Sequence, residues 1–559
     1  MSSPEEGRFF EANLAALSKR DPELERAVRA SPPDPSITFM RAKNGSLVPA
    51  AIRAEGRAPM HSLYDPEREA QRLVESVKGS GCLVFLGLGA GFSVAAALED
   101  PRVASVLILE KDIPTVRSLL QNLPLAGPLG DTRVRLVAGR EAIRPGLFSA
   151  WQPALMGALQ TVALRAWCEA QPAWCDSAVN ELRLAIEQVR SDYGVQAHFG
   201  KRWFSNMLLN LETAERPPAR MPFGASAHVT AAGPSLELQI PHIISPGRRG
   251  MLIATDTSLP ALLRWGAAPD AVISVDCQNH SYHHFLQGVP ARTMMFLDLA
   301  SPPFLARTAR RLAFITSGHP FVRYVDSRWR RFPRVDTSGG NVAHAAVSLA
   351  RCLGARRITL HGADFCYPDG KPYARGTYLY DFFDSMQNRT GPTESRSYSF
   401  LHRSSDLKKE RLGRRWIYTT TVLREYRERM IRLMQAIDAE VIPSPGDGLD
   451  LPRGQGPLAP AAEAPAEPPP SAPLRGWREF LSDYSEELSG IDVSPGAVGA
   501  RFHILDRVQR ELWETILPIA AQVIAEQPGE PAGAPALAEA KRWALYRISL
   551  VLGGASSSA

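Results

Sequence analysis

The sequence predicts an α/β protein made of two doubly wound, Rossmann-like units and a C-terminal helical module. Three observations lead there. Apolar runs of strand length alternate with helical segments between about residues 80 and 140, and the alternation restarts at His228. A Pro/Ala-rich stretch, LPRGQGPLAPAAEAPAEPPPSAP, interrupts the chain from Leu451. The length of 559 residues also exceeds what one hydrophobic core supports. The expected organisation is an N-terminal Rossmann-like domain with a helical bridge over 1–215 and a central domain over 216–452. A linker over 453–474 and a helical module over 475–559 follow.

Each element has a local reason. Residues 1–30 read as an amphipathic helix, and SITFMRAKNGSLVPAAI reads as a hairpin turning at Asn44-Gly45. A helix is expected over Pro66 to Val77, then the strand CLVFLGLG, a glycine turn and another helix. VASVLILE is a second strand, Ile113 to Leu123 a helix and RVRLVAG a third strand, while 150–215 reads as largely helical. In the central domain the candidate strands are HVTAAG, MLIATD, AVISVD, TMMFLD, LAFITS and RITLHGAD. Helical segments such as SLPALLRWG and NVAHAAVSLARCLG separate them, and the long amphipathic helix TTVLREYRERMIRLMQAI closes the unit. The Pro/Ala stretch has too little apolar bulk to fold.

A composition of 45% hydrophobic and 22% charged residues fits a globular protein and excludes a disordered or fibrous one. Net charge is +6, but 64 basic and 58 acidic residues are interspersed, so anionic small molecules suit the chain at least as well as nucleic acid. Six cysteines without a CxxC pair point to reduced thiols in a cytoplasmic protein, not to a disulfide scaffold or zinc module. The N-terminal segment lacks the apolar core of a signal peptide, and no apolar run approaches the roughly 20 residues that span a bilayer. Neither membrane insertion nor a nucleic-acid partner is expected.

Several constellations carry chemistry. Gly87, Gly89 and Gly91 form a strand-to-helix turn that suits a nucleotide, with Glu110 at the end of the next strand placed for ribose hydroxyls. Phe92 stands where a dinucleotide fingerprint has its last glycine, which leans toward the methyltransferase-like variety; the plain alternative is a tight turn that binds nothing. In AAGPSLE, Gly233, Pro234 and Ser235 follow a strand and open a helix, as a phosphate site does, although Gly-Pro-Ser also simply starts helices. Asp256, Asp276 and Asp364 each close an apolar strand, and strand ends in open α/β sheets face one crevice. Asp256 has a competing use as an N-cap before Thr257-Ser258, whereas Asp276 and Asp364 lack one.

Ser338, Gly339, Gly340 and Asn341 precede a helix as a second phosphate-type cradle, with a plain glycine-rich loop as the alternative. His280, His283, His284, His361 and His402 are candidate bases, with His361 reading as a packed strand residue. GKPYARGTYLYDFFDSMQNRT, rich in Tyr, Phe and Arg, reads as a loop closing over a substrate, with Arg375 and Arg389 placed for an anion. P-loop chemistry is excluded because Arg202 follows Gly200-Lys201 where Ser or Thr belongs. HExxH and GxSxG are absent.

The succession AAGPSLE, ATDTSLPALLRWGAAPDAVISVD, TSGGNVAHAAVSLARCLGARRITLHGADF and YPDGKPYARGTY resembles the central domain of the motility-associated factor (Maf) flagellin glycosyltransferases. That domain is shared with a hydroxymethylpterin pyrophosphokinase-like family. MHSLYDPEREAQRL followed by VFLGLGAGFSVAAAL is similar to the Maf N-terminal domain, so the resemblance covers roughly residues 35–450. It implies a sialyltransferase-like central domain. Its reaction would move a nonulosonic acid, pseudaminic or legionaminic in type, from a CMP-activated donor to Ser or Thr of flagellin. Gly233, Pro234 and Ser235 would meet the nucleotide, Asp256 and Asp276 would line the crevice, and Ser338 to Asn341 would face the donor. The catalytic candidates are Asp364, near the reacting centre, Asp276 and His402. Relatives often carry a polar pair before GPSL, where this chain has Ala231-Ala232, so any side-chain contact from those positions is lost.

No cofactor beyond the donor is required by analogy with sialyltransferases, and no metal ligand is assigned, although paired strand-end aspartates also suit Mg2+. Two other readings stand beside this one: a pterin-type pyrophosphokinase using ATP and Mg2+, and a non-catalytic flagellin-binding factor.

Overall fold

The computed structural model describes residues 8–53, 56–77, 79–217, 219–455, 472–494, 498–527, 529 and 531–554. Two compact units make up the chain: Met1–Lys201 with Glu487–Tyr546, and Arg202–Glu486 with Arg547–Ala559. Most of the expected linker, residues 456–471, lies outside the described residues. The helices that follow it, Trp477–Ser489, Val498–Phe502, Arg507–Glu514, Leu517–Glu526 and Ala534–Gly554, divide between the two units.

In the first unit an antiparallel sheet, β1 (Ile37–Arg41), β2 (Leu47–Arg53) and β3 (Gly56–Pro59), contains the expected hairpin, with Gly45 at φ 89° in the turn. A parallel sheet of order β6-β5-β4-β7 follows, formed by β4 (Cys82–Leu86), β5 (Ser105–Glu110), β6 (Val134–Ala138) and β7 (Leu159–Ala163). Strand β7 corrects the helical reading of 150–215. Of its five residues only Val162 is buried, so no apolar run announces it, and pairing with β4 decides its state. The expected N-terminal helix is broken into Arg8–Ser18 and Pro22–Ala30, because Asp21 accepts the Leu24 N–H at 2.9 Å and Pro22 starts the second helix. The expectation of six free thiols is also corrected. Cys168 and Cys175, on either side of the break between helices Arg165–Ala170 and Pro172–Glu215, form a disulfide with Cα atoms 5.3 Å apart.

The first glycine turn is filled by the chain itself. The Leu88 N–H donates to Glu110 Oε1 at 2.6 Å and the Ala90 N–H to His61 Nε2 at 3.0 Å. A Cβ on Gly89 would lie 2.3 Å from His61 Nε2, and one on Gly87 would lie 2.5 Å from the Trp167 ring. The glycines are thus used for close packing against side chains, and the carboxylate expected to reach a ribose accepts from the turn's Leu88 amide and from the Lys111 amide at 3.2 Å. Burial pushes the Glu110 carboxyl up to about 7 despite those amide donors.

The second unit holds an eight-stranded sheet of order β12-β11-β10-β9-β8-β13-β17-β18. Its strands are β8 (Ser226–Thr230), β9 (Met251–Thr255), β10 (Ala271–Ser274), β11 (Met294–Asp298), β12 (Leu312–Ile315), β13 (Arg357–His361), β17 (Glu440–Pro443) and β18 (Gly454–Gln455). All pairings are parallel except that of the edge strand β18. The near-continuous apolar runs of β9, β10 and β11 are buried throughout, as a sheet covered on both faces requires. From β8 the chain adds β9 to β12 on one side, then returns to place β13 and β17 on the other, so its order reverses between β8 and β13. A small antiparallel meander of order β14-β16-β15, from β14 (Tyr367–Pro368), β15 (Lys408–Leu412) and β16 (Arg415–Thr419), was not expected from the sequence. Strand β14 has only two residues and β15, KKERL, is charged and mostly exposed, so neither carries an apolar pattern; β16, RWIYT, is buried at Ile417 and Thr419.

Two outcomes are expected. Gly200 lies inside a long helix, and a Cβ there would sit 1.9 Å from the Pro518 carbonyl oxygen. Gly200→Ala should therefore lower the Tm: overpacking costs about 1–3 kcal/mol, against a helix-propensity gain of at most about 1 kcal/mol. For Glu110 the folded-state pKa is raised, so its contribution favours folding below the unfolded value and is lost as pH rises toward about 7. Thermal unfolding between pH 5 and 7.5 should show the wild type losing Tm relative to Glu110→Gln. Groups common to both proteins, such as the buried histidines, cancel in that difference.

Candidate functional site

Strand order reverses between β8 and β13, and the crevice beyond the carboxyl ends at such a reversal is where open α/β sheets bind ligands. The two turns that leave these strands are locked together. The Gly233 N–H donates to the Gly362 carbonyl at 2.8 Å, and the Ser235 N–H donates to Asp364 Oδ2 at 2.9 Å. A Cβ on Gly233 would meet Asp364 Oδ2 at 2.3 Å, and one on Gly448 would meet the Asp364 Cα at 2.4 Å, so only glycine permits these approaches. Gln239 completes the lock, accepting from the Gly362 N–H and donating to the Pro445 carbonyl, both at 2.8 Å. Phe365, next along, holds φ 49°, a left-handed conformation that costs a non-glycine residue about 1–3 kcal/mol.

This geometry corrects the expectation that Gly233, Pro234 and Ser235 offer amides to a phosphate. Pro234 has no N–H, Ser235 gives its own to Asp364, and the Leu236 and Glu237 N–H groups bond to the Gly233 and Pro234 carbonyls. Ser235 Oγ accepts from the Asp447 N–H at 2.7 Å. The anion at the start of helix Leu236–Ile244 is the Asp364 carboxylate. Asp364 is 5% exposed, and burial raises its pKa, with the Ser235 bonds opposing and Asp447 adding to the rise. It bridges the turns that leave the two strands, and it also lines a cavity of about 140 Å³ with Gln239, Pro445 and Gly448.

Below this lock, His361 is packed as expected. Its Nε2 lies 3.0 Å from His228 Nδ1, its Nδ1 lies 2.9 Å from Ser444 Oγ, and His228 Nε2 lies 3.1 Å from the Arg249 carbonyl. A carbonyl only accepts, so His228 Nε2 carries the proton, His361 Nε2 donates to His228 and Ser444 donates to His361. This arrangement uses both rings in the neutral form. Burial lowers both pKa values, that of His361 to about 3.

Asp256 and Asp276 stand at the ends of β9 and β10. Asp256 is buried; its Oδ2 accepts from Ser274 Oγ at 2.6 Å and its Oδ1 from the Thr257 N–H at 2.7 Å, while Ser258 takes the N-cap position. Asp276 is half-buried, with Oδ1 accepting from the Gln278 N–H at 2.9 Å. Burial raises its pKa, Asp256 adds to the rise, and the Gln278 bond and His284 oppose it. Tyr378 lies near this pair. Both carboxylates raise its pKa, after the larger effect of burial, and its ring lies 4.8 Å from His284 edge-on and 5.4 Å from His283 in a stack. Tyr373 also feels Asp256, and the Ala374 N–H is anchored to the Ala232 carbonyl at 2.8 Å. Arg264 holds the following helix, Tyr378–Ser385, through both oxygens of Asp381 at 2.8 and 2.7 Å. The aromatic segment read as a substrate-closing loop thus lies against the carboxylate pair.

Among the histidines, His284 stands beside Asp276. His402 does not fill that place: it is exposed at the end of helix Thr393–Leu401, with Nδ1 on the Tyr398 carbonyl at 2.9 Å and its ring 4.0 Å from that of Tyr398. Arg375 and Arg389 are exposed, and the Arg375 N–H bonds to Glu237. Ser338 to Asn341 precede helix Val342–Cys352, whose N-terminus reaches the same carboxyl edge because the helix runs back to the start of β13. The Ser338 N–H donates to Asp336 Oδ1 and the Gly340 N–H to the Thr337 carbonyl, and Asn341 Oδ1 caps the His344 N–H. Asp298 at the end of β11 is a further strand-end carboxylate, beyond those expected from the sequence. It is 5% exposed and raised to about 6 by burial, and the rule that singled out Asp256 would have found it. No group of three or more His, Cys, Asp or Glu able to hold a metal ion occurs among the described residues. Asp256 and Asp276 suit only a cation that takes two carboxylates and completes its shell from substrate, as Mg2+ does.

Residues 205–370 match the model of a family described as 6-hydroxymethylpterin diphosphokinase MptE-like. Two uncharacterized proteins of Treponema pallidum (strain Nichols) are 38% identical over 125 residues and 40% identical over 101 residues. These matches cover 22% and 18% of this chain and 44% and 48% of the relatives, so the chain spans less than half the length of each. A solved structure, a MAf glycosyltransferase from Magnetospirillum magneticum AMB-1, superposes with a TM-score of 0.57 at 14% identity, covering 98% of this chain and 95% of that one. No described helix is long and apolar enough to cross a membrane. The chain therefore carries an MptE-like segment over residues 205–370 within the fold of a Maf glycosyltransferase.

Proposed function

We propose that this chain is a cytoplasmic glycosyltransferase that moves a nonulosonic acid, pseudaminic or legionaminic in type, from a CMP-activated donor to Ser or Thr of flagellin. The observation that carries the reading is the Asp256–Asp276 pair at the carboxyl edge, with Tyr378 and His284 near it and in ring contact with each other. The shared fold with a Maf glycosyltransferase supports the reaction class.

In this reading the acceptor oxygen attacks the anomeric carbon of the donor. The bond from that carbon to the CMP phosphate oxygen breaks, CMP leaves with the electron pair, and the acceptor proton passes to Asp276. A base works best when its pKa approaches the working pH, and burial shifts Asp276 in that direction. Asp256, fixed by Ser274 and Thr257, offers negative charge to an oxocarbenium-like sugar. The start of helix Val342–Cys352, at Ser338 to Asn341, would face the departing phosphate. Asp364 positions the turn between β8 and β13 and does not take the proton.

A second reading, a pterin-type pyrophosphokinase using ATP and Mg2+, is favoured by the description of the family that matches 205–370. There Asp256 and Asp276 would hold Mg2+ against the substrate phosphates.

The test is the intact mass of flagellin co-expressed with the protein in a cell that makes CMP-activated nonulosonic acids. Sugar-sized increments are expected with the wild type. Asp276→Asn should reduce their rate of appearance about 10²- to 10⁴-fold with an unchanged Tm. Asp364→Asn should lower transfer and Tm together. Unmodified flagellin in the presence of donor and folded enzyme would overturn the proposal. Mg2+-dependent AMP release from ATP with a hydroxymethylpterin would then establish the second reading, and flagellin binding without either reaction would indicate a non-catalytic factor.

A further inference from the structure

The first unit contains a cavity of about 150 Å³ lined by Arg20, Arg133, Arg135, Arg510 and His503, with Asp21 at its wall. Its positive charge is not balanced from within. Arg133 is fully engaged, reaching both oxygens of Asp131 and the Val103 and Leu98 carbonyls. Asp21 accepts the Leu24 N–H as a helix cap. Among the described residues the Arg20 and Arg510 guanidinium groups make long hydrogen bonds, at 3.4 Å, to the carbonyls of His503 and Phe502. Two buried donor or acceptor atoms facing this region, Arg20 Nη2 and His503 Nε2, have no hydrogen-bond partner among the described residues.

The electrostatics agree with the geometry. Burial lowers the pKa of Arg20, Asp131 raises it, and Arg135 and Arg510 lower it further. The His503 imidazole is pushed down to about 4 by burial and by Arg510, Arg20 and Arg135. Like charges and unpaired polar atoms gathered around a cavity are costly when it is empty and favourable when an anion supplies the missing acceptors. Water alone would satisfy the orphan atoms but would leave the repulsion.

We propose that this cavity binds a phosphate group, either as the free ion or as the end of a phosphomonoester. Guanidinium groups match the oxygens of a tetrahedral oxyanion in pairs, and three of them with an imidazole provide more donors than a carboxylate has lone pairs to use. The volume of about 150 Å³ has room for a phosphate group, and the cavity is partly open to solvent, so a group esterified to the phosphate can extend outward. His503 and Arg510 come from the C-terminal helical segment, and Arg20 and Arg135 from the N-terminal part of the same unit. Bound phosphate therefore joins two stretches of chain that are distant in sequence, independently of the transfer reaction proposed above.

The test uses the full chain in thermal unfolding and titration calorimetry with sodium phosphate, ribose 5-phosphate and sodium chloride at matched ionic strength. Phosphate should raise the Tm saturably with one site per chain, and chloride should not. Equal or tighter binding of ribose 5-phosphate identifies a phosphomonoester as the ligand, whereas phosphate alone identifies the free ion. Arg510→Met should keep or raise the Tm without phosphate, because it relieves repulsion, and should weaken phosphate binding about tenfold or more. Arg135→Gln, at an exposed position, should weaken binding in the same direction and serves if Arg510→Met does not fold. The proposal is overturned if no saturable shift appears, if chloride reproduces the shift, or if the variant measured binds phosphate like the wild type.

Discussion

The second unit depends on one contact, the Asp364 carboxylate bonded to the Ser235 amide. It closes the gap where strand order reverses, between a turn that leaves β8 and one that leaves β13. Everything around it is shaped to admit it: glycines at 233 and 448 leave room for its atoms, Gln239 binds the adjoining loops, and Phe365 accepts an unfavourable backbone conformation. A buried carboxylate is costly in isolation, and the amide hydrogen bond and the partial positive charge at a helix start offset that cost. The strand ends on either side are then held at fixed positions.

Beside that lock, Asp256 and Asp276 are further carboxylates at the strand ends of the same edge. Their environments differ in a useful way. Asp256 is buried and bonded through both oxygens, while Asp276 is half-buried with one oxygen tied to Gln278 and a histidine beside it. Two carboxylates in unlike surroundings can divide the work of holding charge and moving a proton. Tyr373 and Tyr378 both lie near enough to feel Asp256, and Tyr378 feels Asp276 as well.

The first unit shows the same device used for another end. Its glycine turn has the composition of a nucleotide loop, yet Glu110 and His61 take its amides, and His61 and Trp167 occupy the space that the glycines leave. Rossmann-like topology is kept here while the ligand position is filled by side chains, so fold and binding are separable within one molecule. The arginine-rich cavity in this unit has the opposite character, with more cations than acids among its lining residues and buried polar atoms left without a partner among the described residues.

By itself the sequence determined the order of most strands and helices, since the apolar period is a local property, and buried parallel strands such as MLIAT and MMFLD are apolar throughout. It also located the strand-end aspartates, because a charge ending an apolar run marks a carboxyl edge. It did not separate their roles. Asp364 and Asp276 look alike in sequence, and only the packing shows one clamped on Ser235 and the other half-open beside His284 rather than His402. Strand β7, the polar meander, the Cys168–Cys175 bond and the meeting of Arg20 with Arg510 were likewise decided by tertiary structure. The physical reason is common to all of these: each depends on which distant segment arrives alongside, and residue identity and spacing along one stretch of chain do not encode that neighbour.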